Sequence, residues 1–174
     1  DVYKRQVKAC RAMIEMAERS GRTLAVAENY RRLPPSRALK ALLEAGRVGR
    51  PYMLVKYGVN AMKDRVFVKV VDQQPSFWRH DKLQMGGWAV EYGCHEADLI
   101  RYWLGEVDEV YGIAETFEAT RYAQSAEGAT CEPVAVNAED TDFATLRFRS
   151  GAVGFWAMSL AGHGESDARQ LIYG

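Results

Sequence analysis

The sequence predicts an α+β protein in which one helix and one buried strand precede an open, mostly antiparallel sheet with helices on one face. Three observations favour this class. Apolar residues recur at helical spacing in three segments, runs typical of strands occupy five others, and Ser150-Gly151 joins two of these runs as a hairpin. The 174 residues, 48% hydrophobic and 26% charged, are enough for one domain with an ordinary core.

Three helices are predicted from apolar spacing and from residues that start or stop a helix. The first covers 7–20 and stops at Gly21, the second covers 35–45 and is opened by Pro34, and the third covers 89–104. The predicted buried stripe of the third helix consists of Val90, Cys94, Ala97, Ile100 and Leu104.

The predicted strands fall into two groups. The apolar run 23–27 is typical of a buried strand in a parallel sheet, and it ends at the polar cluster 28–32. Ligands gather at the carboxyl ends of such strands, although an ordinary charged loop is the alternative. The sheet strands are predicted at 52–59, 107–115, 142–149 and 152–160, a further strand begins at 169, and 119–138 is predicted to be a long loop.

Composition argues against several functions. The formal net charge is zero, which does not favour a nucleic-acid partner. No apolar run approaches the roughly 20 residues of a membrane-spanning helix, and no signal peptide opens the chain. The three cysteines show no CxxC spacing, which fits a reducing compartment. We therefore expect a cytoplasmic protein with neither a nucleic-acid nor a membrane partner.

A polar face on the third predicted helix carries the residues best suited to catalysis. Glu91, His95 and Asp98 are spaced i, i+4 and i+7, which places two carboxylates and an imidazole on one face. A carboxylate one turn away can orient an imidazole that exchanges a proton with a hydroxyl group. Gly86 and Gly87 permit close backbone approach of a ligand before the helix. On spacing alone, a solvated helix face is the alternative.

The sequence holds five further motifs in this order: LAVAENYRR at 24–32, GRVG at 46–49, WR at 78–79, GGWAVEYGCHEAD at 86–98, and EDT at 139–141 with the LRF and GA that follow it. Together they resemble those of the glucose-fructose oxidoreductase, inositol dehydrogenase and rhizopine-catabolism (Gfo/Idh/MocA) family. The resemblance covers nearly all of 7–174. It departs from the family pattern at Glu91, where aspartate is usual, and at Trp88, which replaces a third glycine.

The resemblance implies an NAD(P)-dependent oxidoreductase that uses NAD or NADP and acts on a sugar, a cyclitol or a related hydroxyl or carbonyl compound. His95 then corresponds to the acid/base histidine, and Glu91 to the residue that orients it. Resemblance and loop position give the candidate substrate-binding residues Asn29, Tyr30, Trp78, Arg79, Gly87 and Trp88, with Asn29 also a candidate cofactor contact. No metal site is predicted, because the sequence holds neither HExxH nor a cysteine cluster.

The resemblance also divides the chain. Residues 7–30 are expected to end a dinucleotide-binding Rossmann domain, and 31–174 to form a substrate-binding domain that makes a homo-oligomer through its open sheet face. Residues 1–6 match a translated sequencing adapter, and 169–174 read as the start of a strand, so we expect a fragment cut at both ends.

Two family motifs, the GxGxxG turn and Glu-Lys-Pro, do not occur in these 174 residues. We therefore expect the fragment alone to be inactive. A catalytically silent family member that serves ligand binding or assembly is the alternative to an enzyme.

Overall fold

The computed structural model describes residues 2–61, 70–71, 74–75, 77–84, 87–124 and 130–174. Its helices are α1 (Val2–Ser20), α2 (Pro34–Glu44), α3 (Trp88–Glu91) and α4 (Gly93–Leu104), and two 3-10 turns lie at Tyr30–Arg32 and Phe77–His80. Its strands are β1 (Met53–Ala61), β2 (Val70–Val71), β3 (Gln74–Pro75), β4 (Val107–Glu115), β5 (Thr120–Gln124), β6 (Thr130–Ala135), β7 (Thr141–Phe148), β8 (Val153–Gly162) and β9 (Asp167–Tyr173).

Five strands form one open sheet in the order β4-β7-β8-β1-β9. Three neighbouring pairs are antiparallel, and only β1 with β8 is parallel. The strands β2 with β3 and β5 with β6 make two small two-stranded sheets. The predicted α+β fold with an open, mostly antiparallel sheet is confirmed.

The two faces of the sheet differ because strand side chains alternate. Along β7, Ala144, Leu146 and Phe148 are buried, whereas Phe143 and Thr145 between them are exposed. Residues paired across strands share a face, so the register extends this division over the whole sheet. One row on the open face consists of Tyr111, Thr145, Phe155, Val55 and Leu171.

Helices α2 and α4 cover the other face, as predicted. The buried cluster joins Leu54 and Phe148 of the sheet to Ile100 of α4, and Leu39 of α2 packs against it. A hydrogen bond of 3.1 Å from Trp103 Nε1 to the Ser36 carbonyl links the two helices. Each large apolar side chain buried here contributes roughly 1.5–3 kcal/mol to stability.

The predicted strand at 23–27 is wrong. These residues form no regular element, and none of the strands in the described part of the chain pairs with them. Val26 is 86% exposed and Leu24 is 50% exposed. A strand exists only beside a partner that takes up its backbone hydrogen bonds, so apolar composition without a partner leaves the segment irregular.

The third predicted helix is interrupted, and its predicted stripe is partly wrong. It divides at Tyr92 into α3 and α4, and Gly93 seats α4 on the sheet, where an added Cβ would stand 3.0 Å from Trp156 Cη2. Cys94 and Ala97 are exposed. Ile100 and Leu104 are buried as predicted, and the other buried residues of α4 are Gly93, Glu96, Leu99 and Trp103.

The buried stripe was predicted incorrectly partly because Glu96 was left out of it, since a charged residue is normally found outside a core. Here Lys56 Nζ lies 2.8 Å from Glu96 Oε2, and both side chains are largely buried. Lys56 also lies over the Trp103 ring, 5.8 Å from its centroid. Burial lowers the pKa of Lys56 to about 8.

Other boundaries also differ. Helix α1 begins at Val2 rather than at residue 7, and the predicted loop 119–138 contains the β5–β6 hairpin. The strand predicted to begin at 169 is β9, which starts at Asp167. None of the helices in the described residues is both long and apolar enough to cross a membrane.

Candidate active site

Residues 28–32 dock along one face of α4, although 67 positions separate the paired residues. Arg31 Nε donates to Asp98 Oδ2 at 2.7 Å, and a second guanidinium nitrogen contacts Asp98 Oδ1. The Arg31 guanidinium also lies 5.2 Å from the centre of the Tyr102 ring. A two-point arginine–carboxylate contact fixes orientation as well as position, so this segment is anchored to the helix that carries His95.

His95 is enclosed by three side chains. Its Nδ1 lies 2.9 Å from Glu28 Oε1 and 2.8 Å from Glu28 Oε2. The Tyr30 ring stacks on the imidazole with a centroid separation of 4.3 Å and an interplanar angle of 12°, while Tyr92 meets it edge-on at 6.0 Å. The structure therefore brings together two predicted site residues, Tyr30 and His95.

Glu28 is ionised in this arrangement. Burial by itself favours the neutral acid, but the hydrogen bond of 3.0 Å from Tyr30 N and the contact with His95 together lower the pKa of Glu28 below its ordinary value. An ionised carboxylate only accepts hydrogen bonds.

The expectation that Glu91 orients His95 needs correction. Glu91 forms an ion pair with Arg79 instead. The interruption of the helix at Tyr92 breaks the regular spacing that would have placed Glu91 one turn below the imidazole. The Arg79 guanidinium also lies 4.6 Å from the centre of the Trp78 ring, so Trp78, Arg79 and Glu91 form a group beside α3.

A small pocket adjoins this group on the helix-covered side of the sheet. Trp88 and Tyr92 stack with ring centroids 4.9 Å apart and planes 3° apart, and both line a cavity of about 170 Å³. Lys56, Glu96 and Asn60 supply polar groups to its wall. Because Tyr92 also touches the His95 ring, the pocket lies one aromatic side chain away from the imidazole.

Two predicted contacts occupy other surroundings. Gly87 is buried, and a Cβ added to it would overlap the Glu139 carboxylate, so the space beside this glycine is filled by the protein itself. Gly86 lies outside the described residues. Asn29 precedes the 3-10 turn with an exposed side chain, and its carbonyl accepts a hydrogen bond of 2.9 Å from Arg32 N.

Glu28, Cys94 and His95 present ligand atoms that lie within 4.8 Å of one another. Glutamate, cysteine and histidine are all zinc ligands. The carboxylate and the imidazole are already joined by a hydrogen bond, however, and a metal ion would have to replace that bond.

A group of buried polar residues lies at the start of β7, which packs against α3. Asp140 accepts hydrogen bonds from Phe117 N and Glu118 N at 3.1 and 2.8 Å, and it pairs with Arg121 at 3.1 Å. Asp142 is 6% exposed, and neither of its carboxylate oxygens has a hydrogen-bond partner in the described part of the chain. Burial, with the nearby charges of Glu139 and Asp140, raises the pKa of Asp142 to about 7.

This raised pKa predicts a pH-dependent stability. Asp142 takes up a proton on folding between its ordinary pKa of 3.8 and about 7, so the free energy of unfolding falls as the pH rises through this interval. Asp142→Asn removes the charge. We expect it to raise the melting temperature above about pH 7, by about 2–4 °C for each kcal/mol gained, and to have little effect near pH 3.8.

The exposed Asp108→Asn serves as the control for Asp142→Asn, because Asp108 makes only a surface ion pair of 3.9 Å with Arg149. Thermal denaturation across the pH range measures both variants. Equal responses of the two variants at every pH would contradict the assignment of the effect to Asp142.

The site residues that the sequence did not predict are Glu28, Arg31, Lys56, Asn60, Tyr92 and Glu96. Glu28 and Arg31 lie in the motif LAVAENYRR, whose polar end was predicted either to meet a ligand or to form an ordinary charged loop. Their contacts with His95 and Asp98 span 67 positions, so no local spacing could reveal them.

Comparisons with known proteins agree with this fold. The sequence profile described as the GFO/IDH/MocA C-terminal domain matches residues 36–174. A levoglucosan dehydrogenase of Pseudarthrobacter phenanthrenivorans is 27% identical over 151 residues, which are 82% of this chain and 37% of that protein. The chain thus spans little more than a third of this relative.

Solved structures of oxidoreductases are also similar to this chain. Levoglucosan dehydrogenase in complex with NADH and levoglucosan is 26% identical with a TM-score of 0.65, over 86% of this chain and 37% of that one. An NAD binding oxidoreductase from Klebsiella pneumoniae has a TM-score of 0.73 at 23% identity, over 94% of this chain and 41% of that one. The second likeness is one of fold.

Proposed function

We propose, on the premise that this chain belongs to the GFO/IDH/MocA family, that the intact protein transfers a hydride between NAD or NADP and the carbinol carbon of a sugar, cyclitol or related compound. One observation carries the proposal. His95, at the position of the family's acid/base histidine, has its Nδ1 held 2.8 Å from Glu28 Oε2, which leaves its other nitrogen for the substrate.

In this proposal His95 accepts and donates the proton of the reacting hydroxyl group. Oxidation of a carbinol releases one hydride and one proton, and the neutral Nε2 accepts the proton while the hydride leaves carbon. The ionised Glu28 beside Nδ1 stabilises the imidazolium that forms. In the reverse direction the same nitrogen returns the proton to the carbonyl oxygen.

The chain does not by itself provide a nicotinamide site. A backbone turn that cradles the two phosphates is the basis of dinucleotide binding, and these 174 residues contain no GxGxxG. When bound by the intact protein, NAD or NADP accepts or donates the hydride. Asn29 is the residue of this chain proposed to touch the cofactor.

The substrate proposal rests on the surroundings of His95. Aromatic faces and charged hydrogen-bonding groups are the chemistry that binds a sugar ring, and Trp88 with Tyr92, Lys56 and Glu96 offers both in a cavity of about 170 Å³. Levoglucosan dehydrogenase, whose structure contains levoglucosan, is a relative that acts on a sugar. Tyr30, Trp78 and Arg79 are proposed as further wall residues on the side of His95.

The experiment is an assay of the full-length protein. With a panel of sugars and cyclitols and with NAD or NADP, we expect the reduced nicotinamide to form. Its absorbance measures the rate of the reaction. The 174-residue chain alone should bind NADH no better than background in calorimetry. Sugar binding without turnover in the full-length protein would favour the silent, ligand-binding alternative, and micromolar NADH binding by the chain alone would contradict the cofactor proposal.

The domain division stays a proposal with two supports. The family profile begins at residue 36, close to the proposed boundary at 31. Before that boundary, Met13, Ile14 and Val26 are at least half exposed, which suits residues covered by the remainder of a Rossmann domain in the intact protein. Protection of these residues from hydrogen exchange in the full-length protein, but not in the chain alone, is the test.

A homo-oligomer through the open sheet face is proposed from its exposed apolar residues. Tyr111, Phe143, Val153 and Phe155 lie on this face, and a large apolar patch on a sheet commonly marks a protein contact. Light scattering that gives a strictly monomeric full-length protein would contradict it.

A cytoplasmic location is proposed from the free thiols of Cys10 and Cys94, and cell fractionation tests it.

A further inference from the structure

We infer that Glu28 is a positioning residue that holds neutral His95 in the tautomer with its proton on Nδ1, and so presents Nε2 as the basic nitrogen. The tautomer is inferred from the contacts around His95 alone. Its use in proton transfer rests on the proposed function.

The contact between the two side chains determines the tautomer. Both carboxylate oxygens of Glu28 lie within hydrogen-bond distance of Nδ1, at 2.9 and 2.8 Å. A neutral imidazole carries one donor nitrogen and one acceptor nitrogen, and an ionised carboxylate can only accept. Placing the proton on Nε2 would set the Nδ1 lone pair against a negative carboxylate, so the Nδ1–H form is favoured.

The ring is also held against rotation. Tyr30 lies flat on the imidazole at 4.3 Å, and Tyr92 closes it from the edge at 6.0 Å. A flip of the ring would have to displace the Tyr30 stack. Because Tyr30 N donates to Glu28 Oε1 at 3.0 Å, one short segment supplies both the stacking ring and the carboxylate.

The position of Glu28 depends in turn on the anchoring of its segment. Arg31 ties the segment to α4 through Asp98, one turn beyond His95 on the same helix face. Glu91 cannot substitute for Glu28, because it is engaged by Arg79. Loss of the Arg31 contact should therefore disturb the tautomer without touching His95 or Glu28.

The test is the tautomer of His95, read from the nitrogen resonances of the 174-residue chain labelled with ¹⁵N-histidine, in the presence of a chelator and at a pH where the ring is neutral. His95→Gln identifies the signals by their loss. His163, whose Nε2 lies 2.9 Å from Glu118 Oε1, provides a reference with the proton on the other nitrogen.

We expect Nδ1–H for His95 in the wild type and a shift toward Nε2–H in Glu28→Ala. Arg31→Ala should shift the tautomer in the same direction, and it covers the case in which Glu28→Ala fails to fold. Glu91→Gln is the matched control, because it changes a carboxylate beside His95 in sequence that pairs with Arg79, and it should leave the tautomer unchanged. Nε2–H in the wild type, or no change in both Glu28→Ala and Arg31→Ala, overturns the inference.

Full-length protein separates this inference from the proposed function. If the protein is an enzyme, Glu28→Ala should lower kcat about 10- to 100-fold, as the loss of a residue that orients a catalytic imidazole commonly does, with a smaller effect on KM. Glu28→Asp should restore part of kcat together with part of the Nδ1–H signal. Absence of any turnover with the tautomer as expected would refute the function and leave the inference standing. Normal turnover in Glu28→Ala with a changed tautomer would refute the positioning role.

Discussion

In the full-length protein, we expect His95→Ala to lower kcat by roughly 10² to 10⁴, the usual cost of losing a general acid or base. Cofactor affinity should stay nearly unchanged, because the imidazole lies between Glu28 and Tyr30 and its proposed target is the substrate hydroxyl, not the nucleotide. Steady-state kinetics with the best substrate, and calorimetry with NADH, measure the two quantities.

His163→Ala is the matched control for His95→Ala. This histidine also contacts a glutamate, at 2.9 Å from Glu118, but it is exposed, so its loss should change turnover by a factor of no more than about two. Equal effects of the two substitutions, or near-normal turnover in His95→Ala, would make His95 an ordinary surface residue and favour the silent alternative.

The largest expected effect on stability is that of Gly87→Ala. Gly87 has φ 97° and ψ −174°, a backbone region that is essentially restricted to glycine, and an added Cβ would also overlap the buried Glu139 carboxylate. The backbone alone costs about 1–3 kcal/mol, and forced movement of packed atoms adds about 1–3 kcal/mol. We expect a total loss of about 2–6 kcal/mol in the free energy of unfolding, measured by chemical denaturation.

Gly105→Ala separates the two contributions. Gly105 has nearly the same backbone, with φ 87° and ψ −161°, but no atom lies within 4 Å of its added Cβ. Its substitution should therefore show the backbone cost alone. In a double-mutant cycle, Glu139→Ala should recover part of the Gly87→Ala loss. If Gly87→Ala and Gly105→Ala are equally unstable, the contact between Gly87 and Glu139 contributes nothing.

The strands of the sheet were predictable because their patterns are local. Strand β7 alternates between buried and exposed residues from Asp142 to Phe148, and that alternation is visible in the sequence. The run 23–27 has equally suitable composition, yet it forms no strand, because pairing depends on a partner and not on the run itself.

The site was predictable only in part, for a related reason. The motif around His95 predicts the imidazole as the acid/base group, and this role stays a prediction. Helical spacing assigned its carboxylate to Glu91 and assumed an unbroken helix. The interruption at Tyr92 and the contact of Glu28 with His95 arise from tertiary structure. The ion pair with Lys56 also lets Glu96 lie on the buried face of α4, where apolar residues were expected. The positions of Glu28 and Glu96 thus depend on partners distant in sequence.

The placement of β1 between β8 and β9 imposes an order on folding. Met53 pairs with Val153 on one side and with Tyr173 on the other, so β1 can complete the sheet only after the residues up to 173 have been synthesised. At about 5–20 residues per second, this strand waits on the order of 5–20 s for its neighbours. During that time Leu54 and Val55 lack the neighbouring strands beside which they lie in the folded protein. Sheets with such non-local pairing form slowly, and the unpaired strand can aggregate in the meantime. Strand β1, which is paired on both sides in the finished sheet, therefore depends on protection during synthesis.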